Sequence, residues 1–354
     1  MKCMRYALTI AILWLPSRAH AARETPFDFG PGFLSFYLDN DLFANRDRDY
    51  TNGARLSWIS SNRRMKDIGA VQRALRPLTS DDTSPQFLQT LSGFVDPELL
   101  SYNYGFSLTQ LMFTPEDMVS RTQPEDQRRY AGWTALGFSL HAKDSKRLNT
   151  VEFLLGITGK YSFAEETQNL IHDVRNIDSF QGWDQQIPTE VTLDLSFLQR
   201  NRLPLGKFNS VISMDGFTEW GARLGTFRTT AQMGAMMRCG LYLPADFSDP
   251  RLSETAYTHK FFTGEEHENH PWSLYFLTGV RTFAIAHDAT LDGPIFNDFH
   301  TGNKRAPFVG EVYVGIGWRI RTVEMSYAHT WRTEEYREQR GDSNFGTVSV
   351  RLQF

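Results

Sequence analysis

The chain has 354 residues, a formal net charge of −4 and two cysteines, Cys3 and Cys239. A net charge this small does not imply a nucleic-acid partner, and we expect none. Beyond residue 21 the sequence has no apolar run long enough for a transmembrane helix, and its single cysteine there cannot form an internal disulfide.

Residues 1–21 are predicted to be a secretory signal peptide. A short basic start is followed by an apolar stretch at residues 7–15 and by the small residues Ala19 and Ala21. The apolar stretch is too short to cross a bilayer, which takes about 20 residues, and the two alanines are typical of a signal-peptide cleavage site. We expect residues 22–354 to form the exported chain, as a single domain.

Segments with strand-like alternation recur along the rest of the chain. The predicted strands are 33–41, 51–61, 101–114, 130–142, 149–161, 187–198, 208–220, 226–243, 272–287, 307–320, 322–332 and 344–354. Their number is even, as in bacterial single-chain barrels, which predicts an all-β fold, a 12-stranded antiparallel transmembrane β-barrel of the bacterial outer membrane. The long connections 62–100, with a short helix expected from Met65 to Leu75, and 244–271 have no explanation in the sequence.

The last predicted strand ends on an aromatic residue, Phe354. Apolar residues from Val348 to Phe354 occupy one face and polar residues from Thr347 to Gln353 the other. A half-buried edge strand of a soluble sandwich would show the same alternation. Together with the signal peptide, the pattern favours a barrel whose last strand closes against the first.

The parity of the strands predicts which connections share one end of the barrel. With the N-terminus in the periplasm, the outer connections are 42–50, 115–129, 162–186, 221–225, 288–306 and 333–343. The short periplasmic turns are expected at 143–146, 201–206 and 319–322. His267 and His270 fall on the periplasmic side, and we interpret them as solvated loop residues.

Side chains suited to ester hydrolysis gather in the first three outer connections. His172 offers a base, since the pKa of histidine, about 6.5, lies near neutrality. Asn40 and Asp41 offer oxygen ligands for a hard cation, which would stabilise a developing oxyanion. The composition of residues 38–53 is equally typical of a turn with capping side chains, and a lone loop histidine is more often solvated than catalytic.

Three motifs in these connections resemble the outer-membrane lipid A 3′-O-deacylases. They are Asn40-Asp41 with Tyr50-Thr51-Asn52-Gly53, Tyr-Ala-Gly-Trp at 130–133, and His172 followed by Gly-Trp-x-x-Gln at 182–186. The second departs from the family pattern Asp-Arg-Pro-Tyr-Ala-Gly, because the chain reads Asp126-Gln-Arg-Arg-Tyr-Ala-Gly132. The resemblance runs from about residue 33 to the end of the chain.

The resemblance implies a 12-stranded barrel that removes an acyloxyacyl group from lipid A, the anchor of lipopolysaccharide, at the outer leaflet by calcium-dependent ester hydrolysis. It assigns the base to His172 and the metal-binding Asn-Asp pair to Asn40 and Asp41. The family's hydroxyl residue at the start of the second strand corresponds to Thr51. Its acidic residue six positions after the histidine corresponds to Asp178, where the family has Glu. Arg121 takes the place of a substrate-binding basic residue. No obligate protein partner is inferred.

Two other functions are compatible with a barrel of this size. Outer-membrane phospholipase A is also a 12-stranded barrel and uses a serine nucleophile with His and Asn. Ser57, Ser60 and Ser61 lie on the second predicted strand, although no Ser–His spacing indicates that arrangement. A structural barrel or small pore would leave Asn40, Asp41 and His172 without a role.

Overall fold

The computed structural model describes residues 32–41, 52–63, 100–117, 123–124, 126–175, 181–244, 249–252 and 270–354. The predicted signal peptide and the helix expected from Met65 to Leu75 lie outside these ranges. The described residues form 12 strands. They are β1 Gly32–Asn40, β2 Asn52–Ser60, β3 Ser101–Phe113, β4 Ala131–Lys143, β5 Arg147–Thr158, β6 Val191–Lys207, β7 Ile212–Gly225, β8 Arg228–Leu241, β9 Trp272–Asp288, β10 Phe308–Ile320, β11 Val323–Arg332 and β12 Ser343–Gln353.

The strands form one closed antiparallel barrel in which each strand pairs with its neighbours in sequence and β1 pairs with β12. At this seam Gly32 N donates to Phe354 O at 3.1 Å, and Phe354 N donates to Gly32 O at 3.2 Å. Closure leaves the sheet without an open edge. The predicted 12-stranded barrel and the closure of its last strand against the first are both confirmed.

Side chains alternate along the strands between the exterior and the lumen of the barrel. On β5, Val151, Phe153 and Leu155 are exposed on the exterior, whereas Glu152 and Leu154 are buried inside. A wall that is apolar outside and polar inside is what a membrane-spanning barrel requires.

We call the end of the barrel at which β1, β3 and β5 finish the loop end, and the opposite end the turn end. Two predicted turns lie at the turn end, at 144–146 and 321–322. The third, predicted at 201–206, is wrong, because β6 continues to Lys207 and the reversal follows it. Pro204 and Gly206 form a β-bulge against β7 instead, a position that tolerates the missing proline N–H.

The lumen is filled with buried ion pairs. Glu219 accepts from Arg281 Nε at 2.8 Å and from Arg200 Nε at 3.0 Å. On the other side of the lumen, Arg55 pairs with Glu152 at 2.5 Å. A buried charge is tolerated only when it is paired and hydrogen-bonded, so the partners on different strands fix one another across the lumen.

Part of the long connection between β8 and β9 enters the lumen and joins this network. Asp249 is fully buried and accepts from Arg251 at 2.6 Å and from Arg281 at 2.8 Å. Arg251 also pairs with Glu311 at 3.3 Å and lies 3.6 Å from the ring centroid of Tyr313. The charges of Asp249 and Arg251 thus neutralise those of the inner wall, and most of the connection 244–271 lies outside the described residues.

The described residues also form two helices. α1 covers Ala164–Arg175 and α2 covers Ala289–Asp292, with 3₁₀ turns at Gly159–Ser162 and Trp183–Gln185. None of the described helices is long and apolar enough to cross a membrane. Next to the turn end, the His270 ring stacks on Tyr242 at 3.6 Å, so it is a packed side chain, and His267 lies outside the described residues.

Candidate active site on the exterior wall

Helix α1 is held against the exterior surface of β3 and β4 at the loop end. The carbonyl oxygen of Ser162, just before the helix, accepts from Gln110 Nε2 at 2.8 Å and from Thr134 Oγ1 at 2.7 Å. These two side chains share a face with the exposed Leu108 and Leu136, which is the exterior face. The helix therefore lies outside the barrel.

A glycine on β4 makes this close approach of the helix sterically allowed. A Cβ atom on Gly132 would lie 2.1 Å from Ser162 Oγ and 2.5 Å from the Cβ of Ala164. Ala164 is buried in a cluster with Met112, Tyr130 and Trp183. The glycine of the Tyr-Ala-Gly-Trp motif thus sets how near α1 comes to the wall.

The Tyr-Ala-Gly-Trp and Gly-Trp-x-x-Gln motifs pack against each other. The rings of Tyr130 and Trp183 lie 4.9 Å apart between centroids, and both side chains are buried. An aromatic pair of this kind contributes about 0.5–1.5 kcal/mol beyond its buried area. Trp183 Nε1 donates to Gln168 Oε1 of α1 at 2.6 Å, so the aromatic pair is also tied to the helix.

His172 lies on the side of α1 that is turned toward the protein. Ala164, Gln168 and His172 are spaced by four residues, and they are the buried positions among the described side chains of the helix. Residues four apart share one helix face. Ala164 packs against the wall and Gln168 contacts Trp183. His172 is therefore held on the same face, with 7% of its surface exposed.

Asn40 closes β1 at the same end of the barrel and on the same exterior face. Asn40 is four residues after the exposed Phe36, so the two side chains are on the same face of the strand. The register partner of Asn40 on β2 is Asn52. Asn52 pairs in turn with Met112 of the cluster under α1. Asp41 directly follows the strand and is 2% exposed. The structure thus places Asn40, Asp41 and His172 at one end of the barrel.

Three of the predicted site residues lie outside the described residues, and their roles stay predictions. They are Thr51, Asp178 and Arg121. Asn52 was not singled out by the sequence analysis, although it belongs to the same run as Thr51. Gln168 was also missed, and its spacing of four residues before His172 is the signal that would have identified it.

The donor chemistry at the end of β1 fits a hard cation in part. Asp41 supplies a carboxylate and Asn40 an amide oxygen, both preferred by calcium. Within the ranges that the structure describes, no three His, Cys, Asp or Glu side chains lie close enough together to hold a metal ion. A calcium site at Asn40 and Asp41 would therefore need further oxygen ligands beside these two.

Two of the three serines considered for a phospholipase have structural partners. Arg55 Nε donates to Ser57 Oγ at 3.3 Å inside the lumen, and Ser60 Oγ accepts from Tyr104 N at 3.1 Å. A Ser–His contact does occur, between Ser139 Oγ and His141 Nε2 at 3.1 Å. Both residues are buried on the inner face of β4, where no lipid reaches them.

A family model and one of the solved structures agree with this architecture. The model of a family described as outer membrane protein LpxR matches residues 6–354. Among solved structures, the chain resembles LpxR from Salmonella typhimurium at 16% identity, with a TM-score of 0.68, over 91% of this chain and 100% of that chain. It also matches the β domain of the Bordetella autotransporter BrkA at 8% identity and a TM-score of 0.41, over 92% of this chain and 100% of that chain. No curated protein sequence matches the chain.

Proposed function

Because the chain belongs to the outer membrane protein LpxR family, we propose that it is a lipid A 3′-O-deacylase. The reaction is the calcium-dependent hydrolysis of the ester that links the 3′ acyloxyacyl group to the sugar of lipid A. The active site faces the outer leaflet, so the loop end of the barrel points away from the cell.

The observation that carries the proposal is the position of α1 on the exterior wall. Tyr130, Trp183 and Gln168 hold the helix there, and His172 lies on its inner face. An enzyme whose substrate stays in the membrane must present its base to the lipid side of the barrel. A site in the lumen would meet only the buried ion pairs.

In the proposed reaction His172 acts as general base. Its neutral imidazole takes a proton from water, and the resulting hydroxide attacks the ester carbonyl to give a tetrahedral oxyanion. The intermediate collapses with cleavage of the bond to the sugar oxygen, which receives the proton from the imidazolium. The products are a free acyloxyacyl acid and a sugar hydroxyl.

The remaining residues position the reacting groups. Asn40 and Asp41 would hold calcium, which when bound supplies positive charge for the oxyanion. Thr51 and Asp178 complete the proposed catalytic set, and Arg121 binds an anionic group of lipid A. Asn52, beside Asn40 in register, supports the end of β1 on the exterior face.

Mass spectrometry of lipid A tests the proposal directly. Lipid A from cells that express the protein should lose the mass of the 3′ acyloxyacyl group, and cells that express His172→Ala should retain it. Purified protein incubated with phospholipid instead of lipid A should release no fatty acid. Release from phospholipid without any change in lipid A would support the phospholipase alternative.

A further inference from the structure

A groove of about 540 Å³ crosses the exterior wall from β7 to β11. Its volume lies within the roughly 300–1,000 Å³ typical of small-ligand sites. Exterior side chains of adjacent strands line it, including Met237, Phe276, Val314 and Ile316. In an outer membrane protein this surface meets hydrocarbon, so an apolar groove here fits a lipid chain.

Two polar side chains mark one end of the groove. The Tyr327 hydroxyl lies 3.4 Å from His329 Nδ1, and both residues line the groove. They alternate along β11 with the fully buried Ala328 and Thr330, which places them on the exterior. Polar and ionisable groups on a membrane-facing surface are costly, so a polar ligand atom beside this pair would be favourable.

The register connects this polar pair to the candidate active site. Asn40 pairs with Gly346 of β12, and Gly346 pairs with His329 of β11. At a strand spacing of about 4.8 Å, His329 lies roughly 10 Å from Asn40 across the wall. Gly346, between them, has no side chain to interrupt the surface.

The groove runs obliquely from the loop end toward the turn end of the wall, because the strands of a barrel are tilted. From His329 the same row of register partners continues through Val314, Thr278 and Met237. His329 lies near the loop end of β11, whereas Met237 lies near the turn end of β8. The polar end of the groove is therefore closest to the lipid headgroups, and the apolar end reaches into the hydrocarbon.

We propose that this groove binds an acyl chain of the substrate lipid other than the chain that is hydrolysed, with an ester or hydroxyl group of that chain hydrogen-bonded by Tyr327 and His329. The inference rests on the proposed deacylase function. Lipid A carries several acyl chains on one sugar backbone, so a molecule with its scissile ester beside Asn40 can extend a neighbouring chain over Gly346. A membrane phospholipid lacks this connection to the site.

Cys239 lines the groove and provides a probe of its occupancy. The exported chain, residues 22–354, has Cys239 as its one thiol. It is reconstituted with His172→Ala, to prevent turnover, in phospholipid vesicles with and without lipid A. The rate of Cys239 modification by a membrane-permeant maleimide is measured. Lipid A should slow the modification several-fold, and equal rates with and without it would overturn the proposal.

A matched pair of substitutions tests the groove by kinetics. Val314→Trp fills the groove, whereas Val151→Trp adds the same volume on β5, and the two valines are 44% and 42% exposed. Val314→Trp should raise KM for lipid A about tenfold, because the indole displaces part of the bound acyl chain. Each buried methylene of that chain contributes roughly fourfold to binding. Val151→Trp should leave KM unchanged, and an equal KM for both variants would count against the groove.

Tyr327→Phe tests the hydrogen bond alone, because it removes the hydroxyl group and leaves the shape of the wall nearly unchanged. It should raise KM for lipid A and leave the folded barrel intact, whereas an unchanged KM would remove the polar half of the proposal. The two proposals fail in different ways. If the wild-type protein does not hydrolyse lipid A, the proposed function fails, and the protection of Cys239 still decides whether the groove binds the lipid.

Discussion

Gly182 leaves open the space that the ring of Tyr130 occupies, since a Cβ atom at Gly182 would lie 2.8 Å from Cε2 of that ring. The backbone of Gly182 also has a φ of +146°, which side chains rarely adopt. The two motifs, which are separated in the sequence by most of β4, by β5 and by α1, are therefore complementary in space. Both hold α1 in place, and so the position of His172 depends on both.

Gly132→Val should abolish activity without unfolding the barrel. The added Cβ would lie 2.1 Å from Ser162 Oγ, so α1 must move away from the wall. Gly310→Val on the exterior of β10 is the control, because its Cβ would meet its nearest neighbour at 3.7 Å. Hydrolysis of lipid A and heat-modifiable migration in gels measure the two effects. Equal activity in the two variants would show that the approach of α1 does not matter.

His172→Ala should lower turnover by about 10²–10⁴, the usual contribution of a general base. Alanine preserves the helix, so the barrel and α1 should remain folded. His300→Ala is the control, since His300 is an exposed histidine at the same end of the barrel. Residual activity close to wild type in His172→Ala would assign the base to another group.

Asp41→Ala should cost far more activity than Asp39→Ala. Both residues are 2% exposed, but Asp39 lies within β1 on the lumen face and Asp41 follows the end of the strand. Loss of one group that stabilises the oxyanion typically costs about 10²–10³ in rate. The test is kcat for each variant at saturating lipid A. Equal losses would mean that the metal is placed wrongly.

Removal of calcium should abolish activity, and added calcium should restore it better than magnesium does. Calcium accepts irregular oxygen coordination, whereas magnesium demands a near-ideal octahedron. The assay is hydrolysis after treatment with a chelator, followed by titration with each cation. Full activity in excess chelator would exclude the metal from the mechanism.

Asp249→Asn should destabilise the barrel at neutral pH by about 3–5 kcal/mol, the cost of breaking a buried ion pair from one side. Burial raises the pKa of Asp249, but Arg251 and Arg281 more than offset this and hold the pKa well below its ordinary value. The stabilisation is therefore complete above about pH 3.9 and is lost as the pH falls toward the lowered pKa.

Denaturant unfolding of the wild type and of Asp249→Asn at several pH values measures this effect. The difference in the free energy of unfolding should be constant from neutral pH to about pH 4 and should shrink below it. Asp298→Asn, on an exposed loop residue, is the control. A difference that grows on acidification would have the wrong sign for an ion-paired carboxylate.

The strands were predictable because their signal is local. Alternation along β5 or β12 is visible within a few residues, and closure at Phe354 followed from the pattern of the last strand. The bulge at Pro204 was missed because Pro and Gly mark turns and bulges alike. Which of the two forms depends on the partner strand, and that is not a local property.

The candidate site was predictable only as a set of motifs. In the sequence, Tyr130 begins a predicted strand, whereas His172 and Trp183 fall in an outer connection, and nothing in these motifs indicates that they touch. Their contacts depend on Gly132 and Gly182, whose missing side chains matter only once the helix and the wall face each other. The burial of Arg251 in the lumen was equally invisible, because it requires acids from distant strands.

The segment at Asp249 and Arg251 also bears on the order in which the barrel assembles. Its partners lie on nearby strands of the same half of the chain, and Arg251 and Glu311 are 60 positions apart. The seam joins Gly32 to Phe354 across nearly the whole chain, and loop-closure entropy makes such distant contacts slower to form. The charges can therefore draw β7, β9 and β10 into a curve while β1 and β12 are still apart. The segment would then act as an internal template around which the open sheet curls before its edges meet.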